Sequence, residues 1–204
     1  VEVQERRRAE AAVRFLADSG LALAESLDVE LTLTKATRLM VPFLADWCLV
    51  TLVEDGDRLR TLPAAHADPD KEAQLRMMQE QYPVDWSSPP GIIRALRTGQ
   101  PVLRHEVTPT LLAEVGHGPE YVEKMQALGS KSGMHVPLIA RGKTLGVLTL
   151  ISDLPGHRYD ETDLELAMEL ARRAAVSIDN AHLYRASQDA VRLRDEFLSV
   201  ASHE

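Results

Sequence analysis

The last forty-five residues, Asp160 to Glu204, contain neither proline nor glycine, and apolar side chains recur at helical spacing from Leu164 to Val200. A helix of that length spans about 65 Å at ~1.5 Å per residue, too long to lie on one small domain. The stretch therefore reads as a domain's last helix continuing outward as a rod. Two apolar stripes run along it at alternating spacings of three and four. The first is Leu164, Ala167, Ala171, Ala174, Ile178 and Ala181; the second is Leu183, Ala186, Ala190, Leu193, Phe197 and Val200. Extending the first register would put Arg185 and Gln188 on the seam, so the phase shifts near Ala181 to Leu183. The first face is expected to pack on the chain's own sheet and the second on a partner helix.

At 204 residues the chain fits one domain with extensions. Hydrophobic residues make up 45%, enough for a globular core, while aromatics at 4% leave that core to Leu, Val, Ile and Ala. A net charge of −8 argues against broad nucleic-acid binding, which needs a basic footprint. One cysteine, Cys48, excludes an internal disulfide and a cysteine-based zinc cluster, and accords with a reducing, cytoplasmic setting. No run approaches the roughly eighteen apolar residues of a membrane span, and no signal-peptide pattern is present. Starting at Val1 and stopping after Glu204, the sequence is expected to be a piece of a longer protein.

Residues 1–27 read as a helix with a break at Ser19-Gly20, and Val29 to Val41 as a second, stopped or kinked by Pro42. Trp47 to Val53 and Arg58 to Leu62 form a hairpin about the turn Glu54-Asp55-Gly56-Asp57. Residues 69–81 are polar and helical, Val84 to Gly91 irregular, Ile92 to Arg97 a short helix closed by Gly99, and Pro101 to Leu103 a short strand. Thr108 to Pro119 is the least regular part, followed by a helix from Tyr121 to Leu128. Met134 to Ala140 and Leu145 to Ile151, joined by Arg141-Gly142-Lys143, are apolar enough to be central strands covered on both faces. Asp160, with Asp163 three residues on, is the expected N-cap of the final helix. The order predicts an α+β sandwich: a central antiparallel sheet flanked by helices, with the middle insert covering the second face and enclosing a pocket.

This order, with Ala45-Asp46-Trp47-Cys48 opening the first strand and Val136-Pro137-Leu138-Ile139-Ala140-Arg141-Gly142-Lys143-Thr144-Leu145-Gly146-Val147-Leu148 as the second hairpin, resembles a GAF domain over about residues 10–184. The resemblance implies a GAF-like fold, with terminal helices on one face of the sheet and a pocket for a small molecule or chromophore on the other. The tail Phe197-Leu198-Ser199-Val200-Ala201-Ser202-His203-Glu204 resembles the H-box of bacterial sensor histidine kinases. That likeness divides the chain into an N-terminal linker helix (1–9), a GAF sensor domain (10–184), and a coiled-coil linker opening a phosphoacceptor domain (185–204). It implies that His203 receives a phosphoryl group from Mg-ATP while Glu204 assists proton transfer. It also implies a homodimer through the terminal helices and a response regulator as partner. A neutral imidazole beside a carboxylate suits that chemistry. No glycine-rich nucleotide loop is present, so Mg-ATP would be bound elsewhere in a full-length kinase.

An unidentified small-molecule ligand is expected in the pocket, relaying chemical or redox state. Under the family layout, His66, His105, His117 and His135 fall in or near it, with Trp86 and Tyr121 as possible walls; the site residues expected there are His66, Trp86, His117, Tyr121 and His135. The histidine spacing matches no zinc pattern, so no metal site is expected. Cys48, inside an apolar strand, reads as a small core residue. GAF relatives that reduce methionine sulfoxide use several cysteines. The Asn-Lys-x-Phe-Asp-Glu signature of cyclic-nucleotide-binding relatives is absent, Asn180 being the only asparagine. Two other readings stand beside the sensor: a structural dimerisation spacer with no ligand, and a stand-alone GAF-fold enzyme, for which no Gly-x-Ser-x-Gly or His-Glu-x-x-His motif is found.

Overall fold

The computed structural model describes residues 14–21, 23, 27–88, 91–154 and 158–201. Most of the expected first helix lies outside these residues, as do Ser202, His203 and Glu204; residues 14–21 (α1) are helical. α2 (Val29–Phe43) is capped by the Asp28 carboxylate, which accepts from Leu31 N at 3.0 Å. Val41, the residue before Pro42, leaves helical geometry (φ −97°, ψ 124°), as the proline ring demands of its predecessor.

The sheet is antiparallel throughout: β2 (Arg58–Thr61), β1 (Trp47–Glu54), β6 (Lys143–Ser152), β5 (Ser132–Ala140) and β4 (Val102–Arg104) lie side by side in that order. A two-residue β3 (Ala65–His66) pairs with the start of β1. Sequence periodicity misses β3 because only its pairing to Trp47 and Cys48 defines it. α5 (Pro109–Ala113) was likewise unforeseen within the irregular stretch, although Thr108 caps it and Pro109 opens it. Between sheet elements lie α3 (Pro69–Gln81), α4 (Ile92–Thr98) and α6 (Pro119–Leu128), the last two closed by left-handed Gly99 and Gly129. The β5–β6 turn carries positive φ at Arg141 (50°) and Gly142 (74°), the two-residue geometry that matches strand twist.

Pleat alternation sorts the core into two layers. Cys48, Val50 and Leu52 of β1, Met134, Val136 and Leu138 of β5, and Leu148 and Leu150 of β6 join one cluster with α1, α2 and the final helix. Trp47, Leu49 and Ile151 face the other way, toward α3, α5 and α6. The final helix, α7 (Glu161–Ala201), is unbroken over 41 residues. Its N-terminus is a reciprocal cap: Asp163 N donates to Asp160 Oδ1 at 3.0 Å and Asp160 N to Asp163 Oδ2 at 3.1 Å. Ala167, Ala171, Ala174, Ile178 and Ala181 are buried against the sheet, and Leu170 and Ala175 widen that face. From His182 to Asp195 every residue is exposed, including Leu183, Ala186, Ala190 and Leu193 of the second stripe; for Phe197 and Val200 only the helical backbone is described.

Tyr159 ties the entry of α7 to the helix layer. It is 1% exposed and its hydroxyl donates to Leu44 O at 2.9 Å, while its N–H donates to Ser132 Oγ at 3.0 Å. Tyr159→Phe deletes the donor and keeps the ring. Unfolding in urea should show a stability loss of about 1–2 kcal/mol with an unchanged slope; an unaltered midpoint would refute this anchoring role.

Candidate ligand cavity

The face of the sheet opposite α7 floors a cavity of about 210 Å³. Strand register builds the floor in rows. Trp47 pairs with Ile151, Ile151 with Gly133, and Gly133 with Arg104; one pleat further, Leu49 pairs with Thr149, Thr149 with His135, and His135 with Val102. The walls and roof come from the insert: Leu75, Met78, Gln79 and Tyr82 of α3 and its end, Gly91 and Ile92 before and at α4, Leu111 and Leu112 of α5, and Tyr121 and Met125 of α6. The lining is mostly apolar with few polar groups, as small-molecule sites are.

His117, Tyr121 and His135 line this cavity; His66 and Trp86 do not. His66 is buried at the edge of β1, where Nδ1 accepts from Asp68 N at 2.8 Å. Its Nε2 lies 3.7 Å from Asp153 Oδ2 and makes no hydrogen bond, and burial pulls its pKa down. Trp86 packs on the neighbouring small core around Ile93, Leu96 and Val147, donates from its indole to Asp57 O, and lies under the Arg97 guanidinium. Both stand beside the cavity rather than on its lining. His105 instead contacts Tyr159 O through Nδ1 at 2.9 Å, just before α7 begins.

His117 and Tyr121 form a triangle with Tyr82, ring centroids 5.1–5.2 Å apart, at one wall. Burial and the neighbouring Tyr82 push the Tyr121 phenol up to about 12, so it stays a neutral donor. His135, which lines the cavity, is held at Nδ1 by Thr149 Oγ1 (3.0 Å). Burial first, then the charge of Arg104, pull its pKa from 6.5 down to about 4, so at neutral pH it is an uncharged ring able to donate or accept. Its Nε2 edge faces Gly91: a Cβ there would fall 2.4 Å from Nε2, so only glycine lets the chain cross the ring.

Residue patterns did not reveal Trp47, Arg104, Thr149 and Ser130, all of which line the cavity. Trp47 and Thr149 stand in apolar strands where only the register says which face they take. Cys48, one residue from Trp47, is on the helix face: its Sγ donates to Thr37 O at 3.3 Å and burial pushes the thiol pKa up, which removes it from cavity chemistry. Among the described residues no group of three or more His, Cys, Asp or Glu is arranged to hold a metal ion.

A group whose folded pKa lies below its unfolded value opposes protonation, so the stability it supports is full above pH 6.5 and falls as pH drops toward 4. The native protein should lose up to about 3 kcal/mol through His135 across that window. His135→Gln should flatten this part of the pH–stability curve measured by urea unfolding. Curves of identical shape would contradict a neutral, enclosed imidazole.

A GAF domain family model matches residues 28–178. Among curated proteins none matches significantly. Solved structures do. Free methionine-R-sulfoxide reductase from Neisseria meningitidis, in complex with its substrate, is 19% identical, with 85% of this chain and 91% of that one covered at a TM-score of 0.61. The GAF domain of a phosphoenolpyruvate-protein phosphotransferase from Coxiella burnetii is 19% identical, covering 86% and 96% at 0.60. The GAF domain of a protein described as a sensor histidine kinase from Pseudomonas syringae pv. tomato is 17% identical, covering 91% and 99% at 0.58. At these identities the likeness is one of fold, while the family match spans most of the chain. The sheet, its two helical layers and the cavity between sheet and insert are therefore those of a GAF domain, and the chain belongs to that family.

Proposed function

We propose that this GAF domain is the sensing segment of a cytoplasmic, homodimeric two-component histidine kinase, in which occupancy of the cavity is relayed along α7 to His203. The observation that carries the reading is the unbroken α7: its first half is buried on the sheet and its continuation, exposed from His182 to Asp195, leads to the Phe197–Glu204 sequence. β5 supplies the physical link. His135 and Gly133 face the cavity, while Met134, Val136 and Leu138, alternating with them, face the helix layer to which α7 belongs. A ligand that shifts β5 therefore changes the seat of α7, by as much free energy as its preference between two seats supplies.

In this reading His203 attacks the terminal phosphorus of Mg-ATP held by a separate catalytic domain, ADP departs, and Glu204 orients the imidazole or takes its proton. A response regulator then accepts the phosphoryl group. The exposed stripe Leu183, Ala186, Ala190 and Leu193 packs on the same stripe of a second copy. Support for a sensor over an empty spacer comes from buried polar atoms in the cavity wall that lack protein partners, Trp47 Nε1 and Ser130 Oγ. A sulfoxide-reductase reading, suggested by the Neisseria structure, has no nucleophile to use, because Cys48 is on the other face.

Two measurements test the proposal. Full-length protein incubated with Mg-ATP should acquire acid-labile phosphate that His203→Gln reduces to background; label persisting in the variant would overturn the assignment. Leu193→Asp should weaken self-association by at least tenfold in sedimentation equilibrium while circular dichroism remains native; an unchanged dimer would refute the α7 seam.

A further inference from the structure

We infer that the cavity takes a small organic monocarboxylate, its charge on Arg104 and its apolar body over the sheet floor. This rests on the sensor reading above and specifies its ligand. Three observations converge. Arg104 lines the cavity, and among the described residues its guanidinium makes no ion pair or side-chain hydrogen bond. Among the described residues no aspartate or glutamate lines the cavity, so in a chain of net charge −8 they give the space one fixed positive charge and no compensating negative one. Trp47 and Ser130, 5% and 6% exposed, each present a buried polar atom without a partner.

A guanidinium stays protonated at any physiological pH and offers a fork that matches a carboxylate. His135 adds no second charge near neutrality, since burial keeps it neutral. One cation with no lining acid selects a single negative charge; a phosphate ester or nucleotide would need more. Arg104 and Trp47 stand at opposite ends of one row, across Gly133 and Ile151, about 14 Å apart by three inter-strand spacings. Gly133 leaves the floor beside Arg104 without a side chain of its own, and an added Cβ would meet Ile151 Cδ1 at 2.5 Å. The indole N–H of Trp47, a donor without a protein partner, belongs to the far end of that row. The apolar floor and the Tyr82–His117–Tyr121 wall suit a ring-sized body between.

The test uses 3-phenylpropanoate and 3-(4-hydroxyphenyl)propanoate with their isosteric amides, titrated calorimetrically into the 204-residue chain. At least one acid should bind tenfold or more tighter than its amide and raise the thermal midpoint. Arg104→Met should erase that preference. Ser130→Ala, which removes no protein hydrogen bond, should weaken the acid severalfold and covers the case in which the arginine variant does not fold. Acetate and inorganic phosphate, which carry charge without the body, should bind at least thirtyfold more weakly. Equal affinity for acid and amide, parity of phosphate with the acids, or no binding by either acid would each overturn the carboxylate inference. None of these outcomes touches phosphorylation of His203, on which the sensor reading is judged separately.

Discussion

The register between β5 and β6 is the constraint on which the other features depend. Both strands are buried on nearly all of both faces, so each residue is committed to one of two environments. A slip by one residue would exchange them, setting His135 against the alanines of α7 and turning Met134 and Val136 into the cavity. The positive-φ pair Arg141 and Gly142 fixes the turn, and an irregularity at Leu138/Ile139 absorbs the mismatch beyond it. Upstream of that point the pairing is continuous from Ser132 with Ser152 to Leu138 with Gly146. The same register carries the cavity row out to Arg104 on β4 and to Trp47 on β1.

The two faces are built on different principles. On the helix face, alanines of α7 allow close approach and Tyr159 satisfies its hydroxyl within the layer. The cavity face keeps donors without partners, each costing about 1–3 kcal/mol when buried. The insert forming its roof is clipped to the remainder by charge. Glu72 of α3 binds Arg38 of α2 and Arg76 of its own helix, and accepts from His66 N at 3.2 Å. The Arg38 contact is the leading cause of the lowered Glu72 pKa, and Lys71 pairs with Asp153 at the end of β6. The roof is thus held to both layers at the β3 side of the sheet.

Strong periodicity made the long helix, the two hairpins and the α+β class readable from residues alone. The buried stripe of α7 from Ala167 to Ala181 and the Asp160–Asp163 cap follow from spacing, because a helix sets them locally. The cavity did not yield in the same way. In a run such as Trp47-Cys48-Leu49-Val50 every residue is apolar, and alternation cannot say which face is which until neighbouring strands are paired. Histidines drew attention by residue type, yet His66 is turned to the sheet edge by its Nδ1 bond to Asp68 N, and Trp86 is drawn off by Asp57 O. Arg104 follows the short strand read at Pro101 to Leu103 and belongs to no motif. Its significance depends on the absence of a partner, a property of three-dimensional surroundings.

The abrupt change on α7 between Ala181, 1% exposed, and His182 has a mechanical consequence. Up to that point the helix is seated on the sheet; from His182 to Asp195 every residue is exposed. The stretch from His182 to Ala201 is twenty residues, about 30 Å long at ~1.5 Å per residue. Pivoting about Ala181 by roughly 5° sweeps its tip through about 2.6 Å by simple leverage on that length. Motion too small to disturb packing at the fulcrum is thereby magnified at the tip.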